Sequence, residues 1–411
     1  MEEKGTKSVK QNMIWNTAGS LIYYFCQWLM SVLIVRISGF ADAGILSLAL
    51  SVTAAPAIVG LFNIRSYQVS DIEGQYSDEV YIRSRIYTSV LAYLTCIGVV
   101  LINGYPMKKA VVILMFMFFK ISEGFADVYY GIDQKRERMD YAGISLSVRG
   151  IGTLILFFGV FLLTENLLLS IVAMTIFSFL VVFLYDRKVA GVKKEREEKR
   201  ANIATLVKSL LWVCFPLAVV AFLNNLSISV PRLFLERYYG EEIMGIYSSV
   251  SSPTTVIQLA AMTLFAPLIP PLTAEYHKRN KKNFMKMIGQ FFLLIAVLTM
   301  ICLIGGKLFA RWGLVLLFGA EIEPYVYLFF PVVLIAVLIA LNASLFSICT
   351  LMREIKTQYL IGFAGIIGAL LLSVTEVKTD SMIGVNWAMI GTLLIQIVIQ
   401  LGLIGKNLKN M

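Results

Sequence analysis

The chain is dominated by apolar runs of about twenty residues, the length that an α-helix needs to cross the hydrocarbon core of a bilayer. These runs cover residues 12–35, 41–63, 82–102, 109–130, 141–163, 166–185, 208–231, 244–269, 284–306, 322–351, 357–377 and 382–405. Hydrophobic residues make up 58% of the 411 and charged residues 15%, which leaves too little polar surface for a soluble domain. We therefore expect an all-α integral membrane protein with about twelve transmembrane helices.

Two stretches complicate the count of spans. Residues 308–319 are apolar but short, so an interfacial or re-entrant segment is the main alternative there. The tenth run, 322–351, is long enough to tilt or to begin in the interface.

Lysine and arginine residues between the runs predict the orientation, because positively charged loops stay on the cytoplasmic side. With the N-terminus inside, the inner segments carry 26 of the 36 lysines and arginines and the outer segments carry 8. The other two, Lys120 and Arg149, lie well inside runs, whereas charges at the edge of a run are counted with the neighbouring segment. Both chain ends are therefore expected in the cytoplasm.

An internal repeat links the two halves of the chain. A shift of 201 residues aligns two predicted outer hairpins without a gap, with seven identities in 18 positions. The identical pairs are Arg36 and Arg237, Gly39 and Gly240, Gly44 and Gly245, Ile45 and Ile246, Ser47 and Ser248, Ser51 and Ser252, and Thr53 and Thr254. The alternative is that small residues simply recur at tight outer turns.

A duplication predicts two pseudo-symmetric six-helix lobes of the same orientation, residues 1–186 and 208–411, joined by a basic cytoplasmic linker at 187–207. Parallel repeats of this kind occur in transporters, which place the substrate path between the halves.

Three charged residues share one face of the fourth predicted span, since Lys120, Glu123 and Asp127 follow a spacing of three and four residues. A lysine near the centre of a span costs roughly 2.5–3.5 kcal/mol on insertion scales, so a partner or a use is expected. Either Lys120 and Glu123 merely neutralise each other, or this face lines a hydrated cavity. In the second case Glu123 and Asp127 are candidate ion-coupling groups.

Other embedded polar residues extend the candidate substrate-binding set. Arg149 lies eight residues into the fifth span, where it either reaches the cytoplasmic surface or faces the same cavity. Arg36 and Arg232 lie near the outer ends of spans, where the main alternative is that their side chains reach the outer surface. Asn224 and Asn225 lie deep in the seventh span and need partners on other helices. Such a cavity would be net cationic, which favours an anionic headgroup over a cationic drug.

Several motifs of other classes are missing from the sequence. Residues 305–308 have neither the spacing nor the hydroxyl of a phosphate-binding loop, and one histidine cannot form a two-histidine zinc motif. The five cysteines lie inside apolar runs without metal-like spacing. We therefore expect no enzymatic activity, no cofactor, no metal site and no nucleic-acid partner. Energy for transport would come from an ion gradient or from consumption of the product.

A set of short stretches points to one family of transporters. They are Arg65–Asp71, Lys120–Gly131, Gln134–Asp140 with Arg149 and Gly150, Pro231–Glu236, Gly245–Ser248 and Leu316–Gly319. In these the chain resembles the Wzx-type polysaccharide repeat-unit flippases of the multidrug/oligosaccharidyl-lipid/polysaccharide exporter superfamily.

This resemblance implies two six-helix lobes around a central cavity that opens alternately to each side of a bacterial plasma membrane. The implied cargo is an undecaprenyl-pyrophosphate-linked oligosaccharide, moved from the inner to the outer leaflet for O-antigen or capsule synthesis. Basic cavity residues of the family carry over to Lys120 and Arg149, and less directly to Arg36, Arg65 and Arg232. Implied partners are the lipid-linked substrate, membrane lipids, a polysaccharide polymerase and other assembly proteins.

Two other functions fit a membrane protein of this size. An ion-coupled multidrug exporter of the same architecture would need acidic rather than basic cavity residues. A membrane polysaccharide polymerase or ligase would need a long outer loop with paired arginines or histidines. The outer segments here are short, except for residues 232–243 and 307–321.

Overall fold

A computed structural model of the chain describes residues 9–71, 74–192, 203–255, 257–258, 265, 268–352 and 355–409. These ranges contain helices and short connections, and no strand. Nine of the helices in them are long and apolar enough to cross a membrane. The expectation of an all-α membrane protein is confirmed.

The chain divides into two compact units, Met1–Ser31 with Leu48–Phe222, and Val32–Ser47 with Leu223–Met411. The predicted lobes, 1–186 and 208–411, have different boundaries from these units and stay a prediction. Residues 193–202 of the predicted basic linker lie outside the described residues.

The first half of the chain forms seven successive helices. They are α1 (Val9–Ser38), α2 (Phe40–Leu61), α3 (Ile64–Ser70), α4 (Asp78–Asn103), α5 (Met107–Lys135), α6 (Met139–Thr164) and α7 (Leu167–Ala190). A π turn, Val182–Asp186, interrupts α7. Of the six predicted spans in this half, only α5 is not among the nine apolar helices, because it carries several charges along its length.

The second half of the chain begins with α8, a helix that covers the seventh predicted span and the first residues of the eighth. The helices are α8 (Ile203–Ser251), α9 (Ile269–His277), α10 (Lys281–Phe318), α11 (Phe329–Leu351), α12 (Ile355–Leu372) and α13 (Lys378–Lys409). A 3-10 helix, Ala320–Leu328, precedes α11 and accounts for the length of the tenth predicted span. Residues 259–264, inside the eighth predicted span, lie outside the described residues.

Residues 308–319 do not form a separate segment. They continue α10 to its end at Phe318, where Gly319 stops the helix with a φ of 97°. The apolar run 284–306 and the following stretch are therefore one helix of 38 residues.

The repeated hairpins both turn at a glycine with the same positive φ. Gly39 separates α1 from α2 with a φ of 86°, and Gly240 kinks α8 with a φ of 85°. The two glycines are 201 residues apart and supply the positive φ that other residues adopt only at a cost. The repeat found in the sequence thus has a counterpart in local backbone geometry.

The same hairpins meet inside the second unit at another repeated pair. Gly44 packs on the backbone of Glu241, and Gly245 packs on the backbone of Phe40, so that a Cβ on either glycine would overlap the facing chain. Residues 44 and 245, and residues 40 and 241, are related by the same shift of 201. The contact is therefore reciprocal, as in a two-fold interface between two copies of one motif.

Candidate substrate-binding site

The embedded charges of the first unit cluster around one face of α5. Lys120, Glu123 and Asp127 are all partly buried, with side-chain exposures of 22%, 24% and 22%. Their partners lie on α1, α3 and α4. The predicted face of the fourth span is therefore packed against neighbouring helices, and it forms two layers of charge along α5.

The first layer joins Lys120 and Glu123 to the first helix. Lys120 Nζ donates to Glu123 Oε2 at 2.8 Å and lies 5.6 Å from the ring centres of Phe116 and Phe119. The other carboxylate oxygen of Glu123 accepts from the Tyr23 hydroxyl. Both oxygens of Glu123 are thus engaged, whereas the ammonium group has donor hydrogens beyond this one bond.

Arg149, on α6, belongs to the same layer, because its guanidinium lies 5.8 Å from the ring centre of Tyr23. It is almost completely buried, with 2% exposure. Arg149 Nε and Nη2 donate to Ser178 Oγ at 3.1 and 2.8 Å, and longer bonds reach Tyr130 and Ser122. Among the described residues, no carboxylate forms an ion pair with it. This guanidinium is therefore held by neutral hydroxyls.

The second layer is built around Asp127. Arg65 Nη1 donates to one carboxylate oxygen at 3.1 Å and Arg85 Nη2 donates to the other at 3.1 Å. Arg65 also reaches Gln134 Oε1 at 3.1 Å, and Arg85 donates to the carbonyl of Gly60. Arg85 is fully buried and Arg65 is 31% exposed, so one carboxylate anchors one buried and one accessible arginine.

The charges of the two layers do not cancel. The cluster holds four cations, Lys120, Arg149, Arg65 and Arg85, and two carboxylates, Glu123 and Asp127. The formal excess of these six residues is two positive charges in a low-dielectric setting, where a charge without a partner is costly. One further acid, the buried Asp186 of α7, interacts electrostatically with Arg149. Lysine and arginine are the residues that bind phosphate groups, the arginines often in bidentate fashion. The arrangement can therefore receive an anion such as a phosphate or pyrophosphate.

Arg36, predicted for the same set, lies in the second unit. Its guanidinium donates to the carbonyls of Val315, Leu316 and Leu317, the last turn of α10. Helix C-termini attract cations because their last carbonyls lack partners. The structure therefore gives Arg36 the position of a helix cap.

The two predicted asparagines and Arg232 also lie in the second unit. Asn224 Oδ1 accepts from Gln396 Nε2 at 3.3 Å, within a network of amide side chains. Asn225 Oδ1 and Arg232 Nε are buried atoms with no hydrogen-bond partner among the described residues. The structure brings together Lys120, Glu123, Asp127, Arg149 and Arg65 in the first unit, and Arg36, Arg232, Asn224 and Asn225 belong to the second unit.

Sequence reasoning missed three members of the cluster. Arg85 lies two turns into α4, but it was counted among the inner-loop charges because it stands at the edge of an apolar run. Tyr23 and Ser178 stand among apolar residues, and nothing in their local pattern distinguishes them. Within the described residues, no group of histidine, cysteine, aspartate or glutamate side chains could hold a metal ion.

An anchored aspartate lies outside the spans, directly after α3. Asp71 accepts from the backbone N–H groups of Gln75 and Tyr76 at 2.8 and 3.1 Å and from the Tyr81 hydroxyl at 2.9 Å. Lys135 Nζ lies 3.9 Å away. Burial raises the pKa of Asp71, but these donors favour the carboxylate and hold the pKa below its ordinary value.

Solved structures share this fold over nearly the whole chain. The eukaryotic MATE transporter AtDTX14 matches with a TM-score of 0.69 and 15% identity, over 96% of this chain and 95% of that one. The MATE multidrug transporter DinF-BH matches with a TM-score of 0.68 and 12% identity, over 98% of each chain. The protein therefore has the fold of a multi-pass membrane transporter.

Sequence comparison gives the family. The model of the family described as polysaccharide biosynthesis protein matches residues 9–274, more than half of the chain, and the chain belongs to this family. The capsular polysaccharide biosynthesis protein CapF of Staphylococcus aureus is 29% identical over 318 residues, 76% of this chain and 78% of the relative. The predicted resemblance to polysaccharide biosynthesis and export proteins is confirmed, and these matches support a role in polysaccharide transport.

Proposed function

We propose that this protein is a flippase that moves undecaprenyl-pyrophosphate-linked oligosaccharide from the cytoplasmic to the outer leaflet of a bacterial plasma membrane. The observation that carries the proposal is the cationic cluster around α5, in a chain of the polysaccharide biosynthesis family. Its excess positive charge suits a pyrophosphate, while the polyprenyl chain stays in lipid. The product would serve capsule or O-antigen synthesis, as the name of the capsular relative suggests.

Transport would proceed by alternating access, without a covalent step on the substrate. A polymerase and other assembly proteins would use the delivered repeat units. Both chain ends would lie in the cytoplasm, as the distribution of lysine and arginine indicates.

Glu123 is a better candidate for ion coupling than Asp127. Asp127 is bound by two arginines, so that its protonation would release two cations at once. Glu123 has one lysine and one tyrosine as partners. Loss of its charge would free Lys120 to bind the anionic substrate, which links an ion to the cargo.

The experiment follows lipid-linked glycan in cells that lack this protein and any substitute flippase, with a leaflet-selective label. We expect the intermediate to accumulate on the cytoplasmic leaflet and wild type to reverse this. The Lys120→Ala variant should fail to restore delivery to the outer leaflet, because the first layer loses its ammonium group. Lys108→Ala, which removes an exposed lysine from the start of the same helix, is the matched control and should behave as wild type.

Normal delivery to the outer leaflet in the deletion strain would refute the flippase. The multidrug exporter is the second candidate, since the solved structures of this fold include MATE multidrug transporters. If the protein is a multidrug exporter, cells should export a cationic dye, and deletion of the protein should abolish that export. The net positive charge of the cluster opposes that outcome.

A further inference from the structure

A surface groove of about 340 Å³ lies in the first unit, and no residue of the charged cluster on α5 is among its lining residues. It is formed by the residue that follows α2, the third turn of α4 and the first four turns of α8. Its principal lining residues are Phe62, Tyr87, Val207, Lys208, Trp212 and Phe215. Apart from Lys208, these side chains are apolar or aromatic.

The groove has a buried floor and exposed walls. Phe62 and Val207 are buried at 8% and 3%, and they belong to a core cluster that also contains Tyr81 and Leu210. Trp212, by contrast, is 77% exposed. A rigid apolar floor with open aromatic walls can hold a hydrocarbon chain without rearranging the core.

Three lining residues of α8 form a ladder on one helix face. Lys208, Trp212 and Phe215 are spaced by four and three residues, so that they follow one another over about 10 Å of helix. Trp212 and Phe215 stack with ring centres 6.2 Å apart, and Phe215 lies 6.3 Å from Phe62. A cation at one end and aromatic rings beyond it match a lipid with an anionic head and an apolar tail.

Lys208 is free to bind such a head. It is exposed, and within the ranges that the structure describes it has no carboxylate partner. It also stands near the beginning of α8, on the side that the lysine and arginine distribution assigns to the cytoplasm. Lysine at a membrane interface attracts anionic lipid headgroups.

An unusual backbone conformation presents the floor of the groove. Phe62 and its neighbour Asn63 both have positive φ, 49° and 53°, and end α2 in the left-handed region. Consecutive non-glycine residues in this region are strained, and such strain often marks functional sites. The turn places the Phe62 ring in the groove and starts α3, which carries Arg65 to Asp127.

The groove and the charged cluster also share a helix contact. The carbonyl of Gly60, one half-turn before Phe62, accepts from Arg85 and from Thr88 at 2.8 Å. Tyr87 of the groove lies between these two residues in α4. A lipid tail in the groove would therefore lie next to the arginine pair of Asp127.

We propose that this groove binds the polyprenyl chain of the substrate lipid in the cytoplasmic leaflet, with its phosphate on Lys208. The proposal rests on the proposed flippase function and adds a docking site for the carrier lipid outside the charged cluster. Proximity to Arg85 and Arg65 favours the substrate lipid over a bulk anionic phospholipid, because only the substrate has to deliver a pyrophosphate to that cluster.

The test uses the full-length protein in nanodiscs, with p-benzoylphenylalanine in place of Phe215. Discs contain either undecaprenyl phosphate or phosphatidylglycerol at equal mole fraction, and mass spectrometry identifies the photo-adduct. A second protein carries the same probe in place of Phe363 of α12, which is similarly exposed, at 54% against 48%. At position 215 we expect more photo-adduct with undecaprenyl phosphate than with phosphatidylglycerol. At position 363 we expect no more adduct with undecaprenyl phosphate than with phosphatidylglycerol.

Lys208→Glu in the position 215 protein should weaken this labelling about tenfold, as expected for loss of one charge-assisted contact to phosphate. Lys208→Gln removes the charge without adding another and serves if the glutamate variant does not accumulate. Equal labelling by the two lipids, or equal labelling at the two positions, would overturn the proposal.

The labelling is independent of glycan transport, so the two proposals can fail separately. Leaflet transfer that proceeds without preferential labelling at position 215 refutes the groove and leaves the flippase intact. Preferential, Lys208-dependent labelling in a protein that does not affect leaflet transfer supports the groove and refutes the flippase.

Discussion

Arg149 shows how single residues keep the cluster cationic. Its guanidinium is buried and donates to hydroxyls of Ser178, Tyr130 and Ser122. Hydroxyl oxygens satisfy the donors of a buried cation without cancelling its charge. A carboxylate would satisfy the donors and also cancel the charge. A neutralised arginine would be cheaper to bury but would attract an anion less. The hydroxyl cradle therefore suits a site that stays positive until an anionic group arrives.

Asp127 makes the opposite contribution, since it stabilises two arginines at once. We predict that Asp127→Asn lowers the free energy of unfolding by about 3–5 kcal/mol, because fully buried Arg85 loses its only described carboxylate. Thermal unfolding of the purified protein measures the loss. Adding Arg85→Met removes the unpaired charge at similar bulk and should restore much of the stability. A single variant as stable as wild type would contradict the role of Asp127 as an anchor.

Asp71 should make stability depend on pH. Its folded-state pKa is depressed, so it contributes stability above the unfolded value of about 3.9 and loses it as pH falls towards the folded value. We predict that Asp71→Asn is less stable than wild type at neutral pH, and that the difference narrows below about pH 4. Melting curves at several pH values measure this. Asp78→Asn, which breaks a more exposed pair with Arg136, is the control and should cost little.

At the scale of helices, the glycine contact between the repeated hairpins holds the second unit together. We predict that Gly44→Ala destabilises the protein, because the added Cβ would overlap the backbone of Glu241, which cannot move aside like a flexible side chain. The expected cost is about 1–3 kcal/mol, read as a lower melting temperature. Gly245→Ala should behave alike, since its Cβ would meet Phe40.

The matched control is Gly289→Ala in α10, an exposed helical position where a Cβ would meet nothing within 4 Å. It should leave stability unchanged or raise it by about 0.5–1 kcal/mol, since alanine favours the helix. Equal effects at positions 44 and 289 would show that the close approach of the two backbones has no energetic consequence.

Periodicity along one helix was accessible from the sequence, and contacts between helices were not. The spacing of Lys120, Glu123 and Asp127 predicted a common face of α5, which the structure shows. Tyr23 is 100 residues from Glu123, and no local pattern connects them. Likewise, the repeat predicted that residues 44 and 245 are equivalent, but not that their hairpins touch.

For the molecule as a whole, the two units use different polar chemistry. The first buries the arginines, the lysine and the carboxylates around α5. The second contains a network of amides, in which Asn342 donates to Gln396 at 3.0 Å and accepts from Gln400 at 3.0 Å. Amides satisfy one another without a net charge, so the network can join helices but does not attract a pyrophosphate. If the units descend from one duplicated half, the cationic cluster has been kept or acquired by the first.

The orientation of the whole molecule can be tested at two chemically matched positions. Glu137 lies between α5 and α6, and Glu165 between α6 and α7; both are exposed, with φ of 55° and 52°. One apolar helix separates them, so they should face opposite sides of the membrane. We predict that Glu165→Cys reacts with an impermeant maleimide on intact cells, and that Glu137→Cys reacts only after permeabilisation. Cys302 should first be replaced by serine, since the other four native cysteines are buried.

The opposite labelling pattern would invert the topology and place the Lys208 groove in the outer leaflet, where a lipid made in the cytoplasm cannot load. Reaction at both positions on intact cells would mean that α6 does not span the membrane, contrary to its length and hydropathy. The predicted pattern places Lys208, Phe62 and the arginine pair of Asp127 on the cytoplasmic side, where the proposed lipid-linked substrate would be made. An inward-facing start of transport requires that placement.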